Sequence, residues 1–567
     1  MPYSERPWLA SYSPAVPADV EIPDEPVSRA LTRTAAALPD RVAVDFEGRT
    51  TTYREIAAQV DLAAGALVAL GVQPGDRVAI ALPNCTSHVV AFYAVLRIGA
   101  VVVEHNPLYT ASELAHQLSD SGSTVVVCWE KAAARVLEVR DRTQVRTVLS
   151  VDVSRDLPLT KRLALRLPVA RARAVRAALC AERPAGALSW HDVVAHATPI
   201  PTDHPEPHAT DIALLQYTGG TTGTPKGAVL THRNLVANAI QGAVWTGVRQ
   251  GEERIIGALP FFHAFGLTLC LTFATRVGAT LVAFPKFDAE SVLASQRRHP
   301  ATFMPGVAPM YDRLAQLAER RHVDLSSIRL GIAGAMPIPA ATAELWERVT
   351  GGLLIEGYGM TETSPVALGN PCTAQRRPGM LGLPFPSTEM RVVDVDDSSV
   401  DVAPGERGEL LVRGPQVFAG YWQRPEETAE VLLPDGWLRT GDVVVVEDDG
   451  FTRLVDRTKE MIVTGGFKVY PSQVEDRLRL MPGVADVAIV GMPGGDLGEK
   501  VVAAVVLAAD ATGVDLAAIR EWGAQHLARY ALPRELVILQ ELPRSAIGKV
   551  LRRVVRDQLA SPASATA

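Results

Sequence analysis

From about residue 28 to residue 300, short runs of β-branched and apolar residues alternate with stretches of helical periodicity. Strand-like runs cover residues 77–82, 100–103, 124–128, 278–284 and 329–333, the last of them just beyond this stretch. Helical spacing is clearest where apolar side chains recur at Tyr53, Ile56, Ala57, Val60, Ala64 and Leu67. Strands alternating with helices predict parallel sheets covered by helices, because a parallel connection needs a crossover segment. The sequence therefore predicts an α/β fold.

The pattern changes twice towards the carboxyl terminus. From about 379 to 455, short strands are separated by Gly, Pro and Asp turns, which indicates a small β-rich subdomain. After Asp456 the sequence predicts helices near 472–480 and 515–527 and strands at 485–491, 500–507 and 536–542. These patterns predict a surface segment over residues 1–27, a large domain over 28–456 and a small α+β domain over 457–567.

Composition excludes several classes of protein. The net charge of −7 gives no electrostatic support to a nucleic-acid partner. The five cysteines are scattered without CxxC spacing, which predicts reduced thiols in the cytoplasm and no zinc site. The first residues contain no apolar signal-peptide core, and no apolar run reaches the ~18 residues of a spanning helix.

One segment carries a local excess of positive charge. Residues 161–176 contain six basic residues and no acidic one, with leucines and valines interleaved. Pro168 interrupts any single helix there. Two interpretations remain open: a surface that docks on anionic lipid at the inner face of the membrane, or a solvated basic helix whose apolar side packs on the body.

Residues 217–228, YTGGTTGTPKGA, have the composition of a phosphate-binding loop. They follow the apolar run 212–217, which predicts a buried strand. Three glycines let the backbone N–H groups approach an anion, and threonine hydroxyls and a lysine add further donors. The residues are Thr218, Gly219, Gly220, Thr221, Thr222, Gly223, Thr224 and Lys226. Pro225 before the lysine distinguishes the loop from a Walker A motif.

This loop resembles the signature of the adenylate-forming superfamily, which includes acyl- and aryl-CoA synthetases, adenylation domains and luciferases. The other motifs of that family appear in family order: FHAFG (262–266), EGYGMTE (356–362), TGD (440–442), VDRTKE (455–460), GGFKVYP (465–471) and PRSAIGK (543–549). The resemblance covers nearly the whole chain. It implies a large body of two helix-covered, mostly parallel sheets with a β-rich subdomain, followed by a small mobile α+β lid.

The resemblance implies a reaction in two steps. A carboxylate attacks the α-phosphorus of ATP to give acyl-AMP and pyrophosphate, and the thiol of coenzyme A then takes the acyl group. Holding two anions together needs a phosphate cradle, Mg²⁺ and a cation at the point of attack. The implied cofactors are therefore ATP, Mg²⁺ and coenzyme A.

Family positions can be carried over to the nucleotide site. The resemblance places Thr218–Lys226 on the β- and γ-phosphates, and Glu362 with Thr361 on Mg²⁺ and phosphate. Tyr358, between Gly357 and Gly359, would stack on adenine, and the segment Gly334, Ala335 and Met336 would pass its other face. Asp442 would accept the ribose hydroxyls, and Arg457 would add a ribose or phosphate contact. Arg457 also has the alternative of a surface salt bridge.

The resemblance also assigns the residues of the carboxyl-terminal unit. Lys549 would bridge the substrate carboxylate and the α-phosphate in the first step. Lys459 matches the hinge, about which the small domain rotates for the second step. Gly465 and Gly466 match the face that lines the pantetheine tunnel, although a hairpin turn is an alternative. Lys468 would contact nucleotide phosphate in that second state.

The acyl pocket is predicted less directly. His263 resembles an aromatic or imidazole gate beside the carboxylate, although a lone histidine is often structural. We expect the pocket lining to be small or apolar, namely Met304, Gly306, Gly331 and Gly334. No buried charge is evident to pair with an amino-acid ammonium group, which favours an apolar acid.

Details around 356–365, 370–371 and 414–423 look most like the bacterial long-chain acyl-CoA synthetases. The leading interpretation is therefore an ATP-dependent fatty-acid–CoA ligase for medium- and long-chain acids. Two alternatives are an aryl- or branched-acid CoA ligase and an acyl-AMP ligase that delivers to a carrier protein. An inactive relative is disfavoured by the intact motif residues, and a luciferase-like oxygenase stays open. The sequence leaves open whether the chain forms a homodimer.

Overall fold

The structure is a computed structural model that describes residues 3–218, 225–457, 460–464, 467–495, 498–509, 511, 513–525 and 527–560. Its largest sheet has nine strands and is parallel through its centre, with antiparallel strands at both ends. In spatial order the strands are Leu383–Pro384, Val366–Gly369, Leu353–Gly359, Leu330–Ala333, Phe303–Gly306, Arg254–Gly257, Thr280–Ala283, Val42–Phe46 and Arg49–Thr52.

A second sheet has seven strands and is parallel except for its last pair. In spatial order these are Leu188–Ser189, Thr147–Val151, Val125–Trp129, Arg77–Ala81, Val101–Glu104, Ile212–Thr218 and Lys226–Thr231. Its central strands are buried along nearly their whole length. That burial explains their continuous apolar sequences, because a parallel sheet covered on both faces has no solvated side. The predicted α/β body with two helix-covered sheets is confirmed.

The body contains the following helices, most of which cover its two sheets. They are Ser28–Ala37, Tyr53–Ala69, Thr86–Arg97, Ala111–Ser121, Glu130–Val139, Leu159–Ala164, Ala170–Leu179, Trp190–Ala195, His232–Thr246, Ala264–Gly266, Phe273–Arg276, Ala289–Gln296, Ala308–Arg321, Ala340–Thr350 and Pro425–Val431. Several begin with a capping box. In this motif a threonine side chain accepts a hydrogen bond from the backbone N–H of the third helical residue, and the Glu or Asn side chain of that residue accepts one from the threonine N–H. Thr52, Thr110 and Thr231 are such caps.

The β-rich segment forms a four-stranded antiparallel sheet. Its strands are Glu389–Val393, Arg407–Arg413, Leu438–Val446 and Thr452–Arg457. Residues Asp442 and Arg457 are direct cross-strand partners at one end of this sheet. That register brings two of the predicted nucleotide-contacting residues together.

The carboxyl-terminal unit has its own hydrophobic clusters. It contains helices Pro471–Leu478, Leu516–Ala524 and Arg552–Ala560, the hairpin strands Ile462–Thr464 and Phe467–Val469, and the three-stranded sheet Val484–Pro493, Glu499–Leu507 and Glu535–Leu539. Ile547 is an exception, because it is buried and belongs to the core of the large body. The loop before Lys549 is therefore docked on the body.

All five cysteines are unpaired in the structure, as their scattered positions predict. Over the ranges that the structure describes, no helix is both long enough and apolar enough to cross a bilayer.

Candidate active site

A cavity of about 100 Å³ lies at the carboxyl ends of strands of the large sheet. Ligands commonly bind there in α/β proteins. One part is lined by Gly334, Ala335 and the segment Gly357–Thr361. The remainder is lined mainly by apolar side chains: Trp245, Leu269, Phe273, Phe303, Ile332, Ile355, Pro365, Val366 and Phe385. The cavity therefore joins a backbone-rich polar end to an apolar interior.

Tyr358, Asp442 and Arg457 form a connected corner beside this polar end. The Tyr358 hydroxyl donates to Asp442 Oδ2 at 2.5 Å, and Arg457 Nε lies 3.0 Å from Asp442 Oδ1. Burial, followed by the nearby Asp442 carboxylate, raises the pKa of Tyr358 well above its usual range, so the phenol keeps its proton. Asp442 thus remains an oriented acceptor, and Arg457 forms a salt bridge with this buried carboxylate.

The backbone around the polar end is tightly constrained. Ala335 has a positive φ of 67°, a conformation that residues with a side chain rarely adopt. A Cβ atom at Gly359 would lie 1.8 Å from the Pro365 carbonyl oxygen, so only glycine fits. Met336 meets the carboxyl-terminal unit, because a Cβ on Gly548 would lie 3.3 Å from Met336 Cε.

Glu362 lies on the short helical turn Thr361–Thr363 and is almost completely buried. Tyr421 donates its hydroxyl to Glu362 Oε1 at 2.7 Å. Lys226 lies over the ring of Tyr421 in a cation–π contact, with its Nζ 5.3 Å from the ring centre. The predicted acidic residue and the predicted loop lysine therefore share one aromatic neighbour.

Thr218 ends the strand Ile212–Thr218, and its hydroxyl lies 3.5 Å from the Lys226 carbonyl oxygen. Register pairs the two residues across adjacent antiparallel strands. The remaining predicted loop residues, Gly219, Gly220, Thr221, Thr222, Gly223 and Thr224, lie outside the described residues. Lys459, Gly465 and Gly466 also lie outside them.

His263 lines the cavity and precedes the helical segment that begins at Ala264. Its Nδ1 accepts from the Phe265 N–H at 3.3 Å, which puts the proton of the neutral ring on Nε2. Burial lowers the pKa of His263 to about 4, so the ring is neutral near pH 7. The side chain can therefore offer a neutral N–H donor rather than a cation.

Lys549 lies on a tight turn that is closed by hydrogen bonds to Ser545. Burial, followed by the charge of Arg457, lowers the pKa of Lys549 to about 8. Asp442 and Glu460 act in the opposite direction. The lysine is thus electrostatically linked to the Tyr358–Asp442–Arg457 corner, although it comes from the carboxyl-terminal unit.

Lys468 is not brought to this site. Its Nζ pairs with Asp396 at 2.8 Å on the exposed edge of the β-rich subdomain. The contact bridges the carboxyl-terminal unit and the large body.

Three residues predicted to line the acyl pocket lie outside the set that lines this cavity: Met304, Gly306 and Gly331. The Tyr311 ring occupies the space next to them, because a Cβ on Gly306 or Gly331 would lie 3.1 Å from it. The Tyr311 hydroxyl also donates to the Met304 carbonyl oxygen at 2.7 Å. The pocket prediction is corrected accordingly, whereas His263 and Gly334 do line the cavity.

Sequence reasoning missed the aromatic lining and the role of Tyr421. Trp245 packs against Phe385 with ring centres 4.8 Å apart, and both line the cavity. Gly242, one helical turn before Trp245, leaves the cavity open at this wall. Aromatic residues on a mostly buried helix give no sequence signal that separates a cavity wall from ordinary core.

Comparisons with known proteins agree with this architecture. The family described as AMP-binding enzyme matches residues 31–422, and its AMP-binding enzyme C-terminal domain matches residues 473–549. The long-chain-fatty-acid–CoA ligase of Bacillus subtilis (strain 168) is 37% identical over 556 residues, covering 98% of each chain. The ligase of the same name from Salmonella typhimurium is 39% identical over 557 residues, covering 97% of this chain and 98% of its own.

Among solved structures, ATP-bound MatB from Rhodopseudomonas palustris superimposes with a TM-score of 0.81 at 30% identity. The match covers 94% of this chain and 98% of MatB. The resemblance inferred from the motifs is therefore confirmed over both parts of the chain. This protein belongs to the AMP-binding enzyme family.

Proposed function

We propose that this protein is an ATP-dependent fatty-acid–CoA ligase for medium- and long-chain acids. The observation that supports it most is the continuity between the Tyr358–Asp442 corner and a cavity walled by apolar side chains. Such a cavity suits an alkyl chain, because burying its methylene groups contributes about 0.8 kcal/mol each. The names of the bacterial relatives support the same substrate class.

In the first step, the acid carboxylate attacks the α-phosphorus of ATP and pyrophosphate leaves. Asp442 would hold the ribose hydroxyls, with Tyr358 beside the adenine and its hydroxyl fixing the aspartate. Lys549 would stabilise the charge that develops where carboxylate and α-phosphate meet. His263 would donate a hydrogen bond from its neutral Nε2–H to the substrate carboxylate. It would thereby orient the carboxylate without adding a positive charge beside it.

Magnesium would arrive as part of the MgATP substrate. Mg²⁺ at nucleotides usually takes one or two protein carboxylates together with phosphate oxygens and water. Glu362 fits that role, because it is a buried carboxylate that follows Thr361 in the chain. Tyr421 contacts both Glu362 and the loop residue Lys226, so the carboxylate lies close to the predicted phosphate loop. Within the described ranges no three His, Cys, Asp or Glu residues group as a metal site.

In the second step, the coenzyme A thiol attacks the acyl carbonyl and AMP leaves. We propose a domain boundary at residues 456 and 457 and a hinge at Lys459, about which the small unit rotates to withdraw Lys549. Gly465 and Gly466 would then face the pantetheine arm, and Lys468 would leave Asp396 to contact phosphate. The docked position of Ile547 on the body supports an arrangement suited to the first step.

A panel of acids tests the proposal. Purified protein with MgATP is assayed for pyrophosphate and for thioester, with and without coenzyme A, using acids of about C8 to C18 and aromatic acids. We expect thioester and AMP from the fatty acids. Turnover of aromatic acids alone would reject the fatty-acid assignment. Pyrophosphate release without thioester formation would favour delivery to a carrier protein.

A further inference from the structure

The basic segment folds into two short helices, Leu159–Ala164 and Ala170–Leu179, that carry exposed apolar side chains. We call residues 159–179 the basic apolar surface. Neither helix buries any of its residues. Relative exposures are high for Leu159 at 69%, Leu163 at 52%, Leu167 at 54%, Val169 at 51% and Val175 at 41%.

These exposed side chains are unusual because all five fall within one short segment of the chain, residues 159–175. Single exposed apolar residues are normal on protein surfaces, and Leu480 at 67% is one of them. Contiguous apolar groups instead mark surfaces that contact another molecule or a membrane. The alternative in which the apolar side of this segment packs on the body is therefore wrong for Leu159, Leu163, Leu167, Val169 and Val175, although it holds for Leu165. Leu165, which joins the two helices, is the one buried leucine of the segment.

All charged residues within the segment itself are basic. Residues 157–181 contain six basic residues and no acidic one. Lys161 pairs with Glu47 at 2.7 Å. The other five form no ion pair with any residue that the structure describes: Arg162, Arg166, Arg171, Arg173 and Arg176. Cations interleaved with exposed leucines and valines complement a surface that is anionic outside and apolar beneath.

The second helix is held at only one end. Lys131 donates to the Ala177 and Ala178 carbonyl oxygens, and Trp129 Nε1 donates to the Leu179 carbonyl oxygen at 2.8 Å. A ten-residue helix without a packed face is marginal in water, because most helix stability in proteins comes from tertiary packing. An external surface would supply the missing packing.

We propose that the basic apolar surface docks this protein on an anionic lipid bilayer. The arginines would contact lipid phosphates, while the leucines and valines enter the boundary between headgroups and acyl chains. Fatty acids partition into bilayers, so docking would bring the ligase to its substrate. This last point rests on the proposed function, whereas the docking itself does not.

Cosedimentation with vesicles tests the docking. Vesicles of phosphatidylcholine with phosphatidylglycerol are compared with phosphatidylcholine alone, at low and high salt. We expect binding to the anionic vesicles only, and weaker binding at high salt. The double variant Arg171→Gln/Arg173→Gln should lower the partition coefficient about 25-fold, because each basic residue near the surface contributes about fivefold. Leu163→Ser/Leu167→Ser should also lower it, at unchanged charge.

The matched control is Arg477→Gln/Leu480→Ser, which alters an exposed arginine and leucine in the carboxyl-terminal unit. It should bind vesicles as the unaltered protein does. Equal binding by all variants, or no preference for anionic vesicles, would overturn the proposal. Binding to duplex DNA as tight as to vesicles would assign the surface to nucleic acid instead.

A second readout separates docking from catalysis. All variants should retain the turnover of octanoate supplied in solution, since none alters the active site. With palmitate supplied in anionic vesicles, the two surface variants should be slower than the control variant. Loss of vesicle binding without this loss of rate would confirm docking but reject substrate loading. A protein that binds vesicles and turns over no acid would instead reject the proposed function.

Discussion

The Tyr358 hydroxyl donates to Asp442 Oδ2 although the two residues are 84 positions apart in the chain. Tyr358 comes from a central strand of the nine-stranded sheet, and Asp442 comes from the β-rich subdomain. The bond therefore joins two substructures at the proposed nucleotide site. Its consequence is that Tyr358, together with Arg457, fixes the orientation of the carboxylate.

Replacing Tyr358 with phenylalanine tests this orientation. Tyr358→Phe keeps the ring but removes a hydrogen bond to a charged acceptor, which typically contributes about 1.5–3 kcal/mol. We expect the KM for ATP in acid-dependent pyrophosphate exchange to rise about tenfold, with a smaller change in kcat. Tyr530→Phe, at a partly exposed tyrosine, is the control. An unchanged KM for ATP would show that the bond has no role in binding.

Lys549 should be needed for the first half-reaction and dispensable for the second. Removing a donor that stabilises developing charge typically costs about 10²–10³ in rate. Lys549→Ala should therefore lose pyrophosphate exchange by that factor, while thioester formation from synthetic acyl-AMP is kept. Lys500→Ala, at a surface ion pair with Glu535, is the control. Equal losses in both half-reactions would contradict the assignment.

The lowered pKa of Lys549 predicts a pH dependence of adenylation. Burial, followed by the charge of Arg457, lowers the pKa to about 8, so the ammonium is nearly complete well below pH 8, half present near pH 8 and progressively lost above it. We expect kcat/KM for adenylation to fall as pH rises through about 8. Lys549→Arg should flatten this limb even if it is slower, because a guanidinium stays charged. A falling limb that persists in Lys549→Arg would assign the titration to another group.

Tyr421 should tune magnesium use through Glu362. Its hydroxyl donates to Glu362 Oε1 at 2.7 Å and its ring contacts Lys226. Tyr421→Phe should raise the Mg²⁺ concentration for half-maximal exchange several-fold, because the carboxylate loses an orienting donor. Glu362→Gln should raise it further and lower the maximal rate. Magnesium titrations that coincide for all three proteins would reject the role of Glu362.

Gly242 offers a test of the acyl cavity. It lines the cavity on helix His232–Thr246, where a Cβ would lie 3.5 Å from Phe273 Cδ2. Gly242→Val should fill part of the cavity and shift the preference towards shorter acids, with palmitate losing more than tenfold relative to octanoate. Ala243→Val, at the next helical position, is the control. A proportional loss for both acids would indicate a general packing defect.

Much of the architecture could be predicted because it depends on local pattern. Buried parallel strands require continuous apolar runs, so the strands near residues 77–82, 100–103 and 124–128 were identified within a residue or two. The motif residues Tyr358, Asp442 and Arg457 were identified because their spacing in the chain resembles a known family, and the structure brings them together. Their catalytic roles stay predictions.

The sequence by itself determined the α/β class, the family and the position of each motif along the chain. Only the tertiary structure decided which side chains line the cavity, because that depends on packing across separate elements. Tyr311 fills the space beside Gly306 and Gly331, whereas Trp245 and Phe385 form a wall that no local pattern marks. The tertiary structure likewise decided that the basic apolar surface is uncovered, since amphipathic periodicity is the same for a helix packed on protein and one left open.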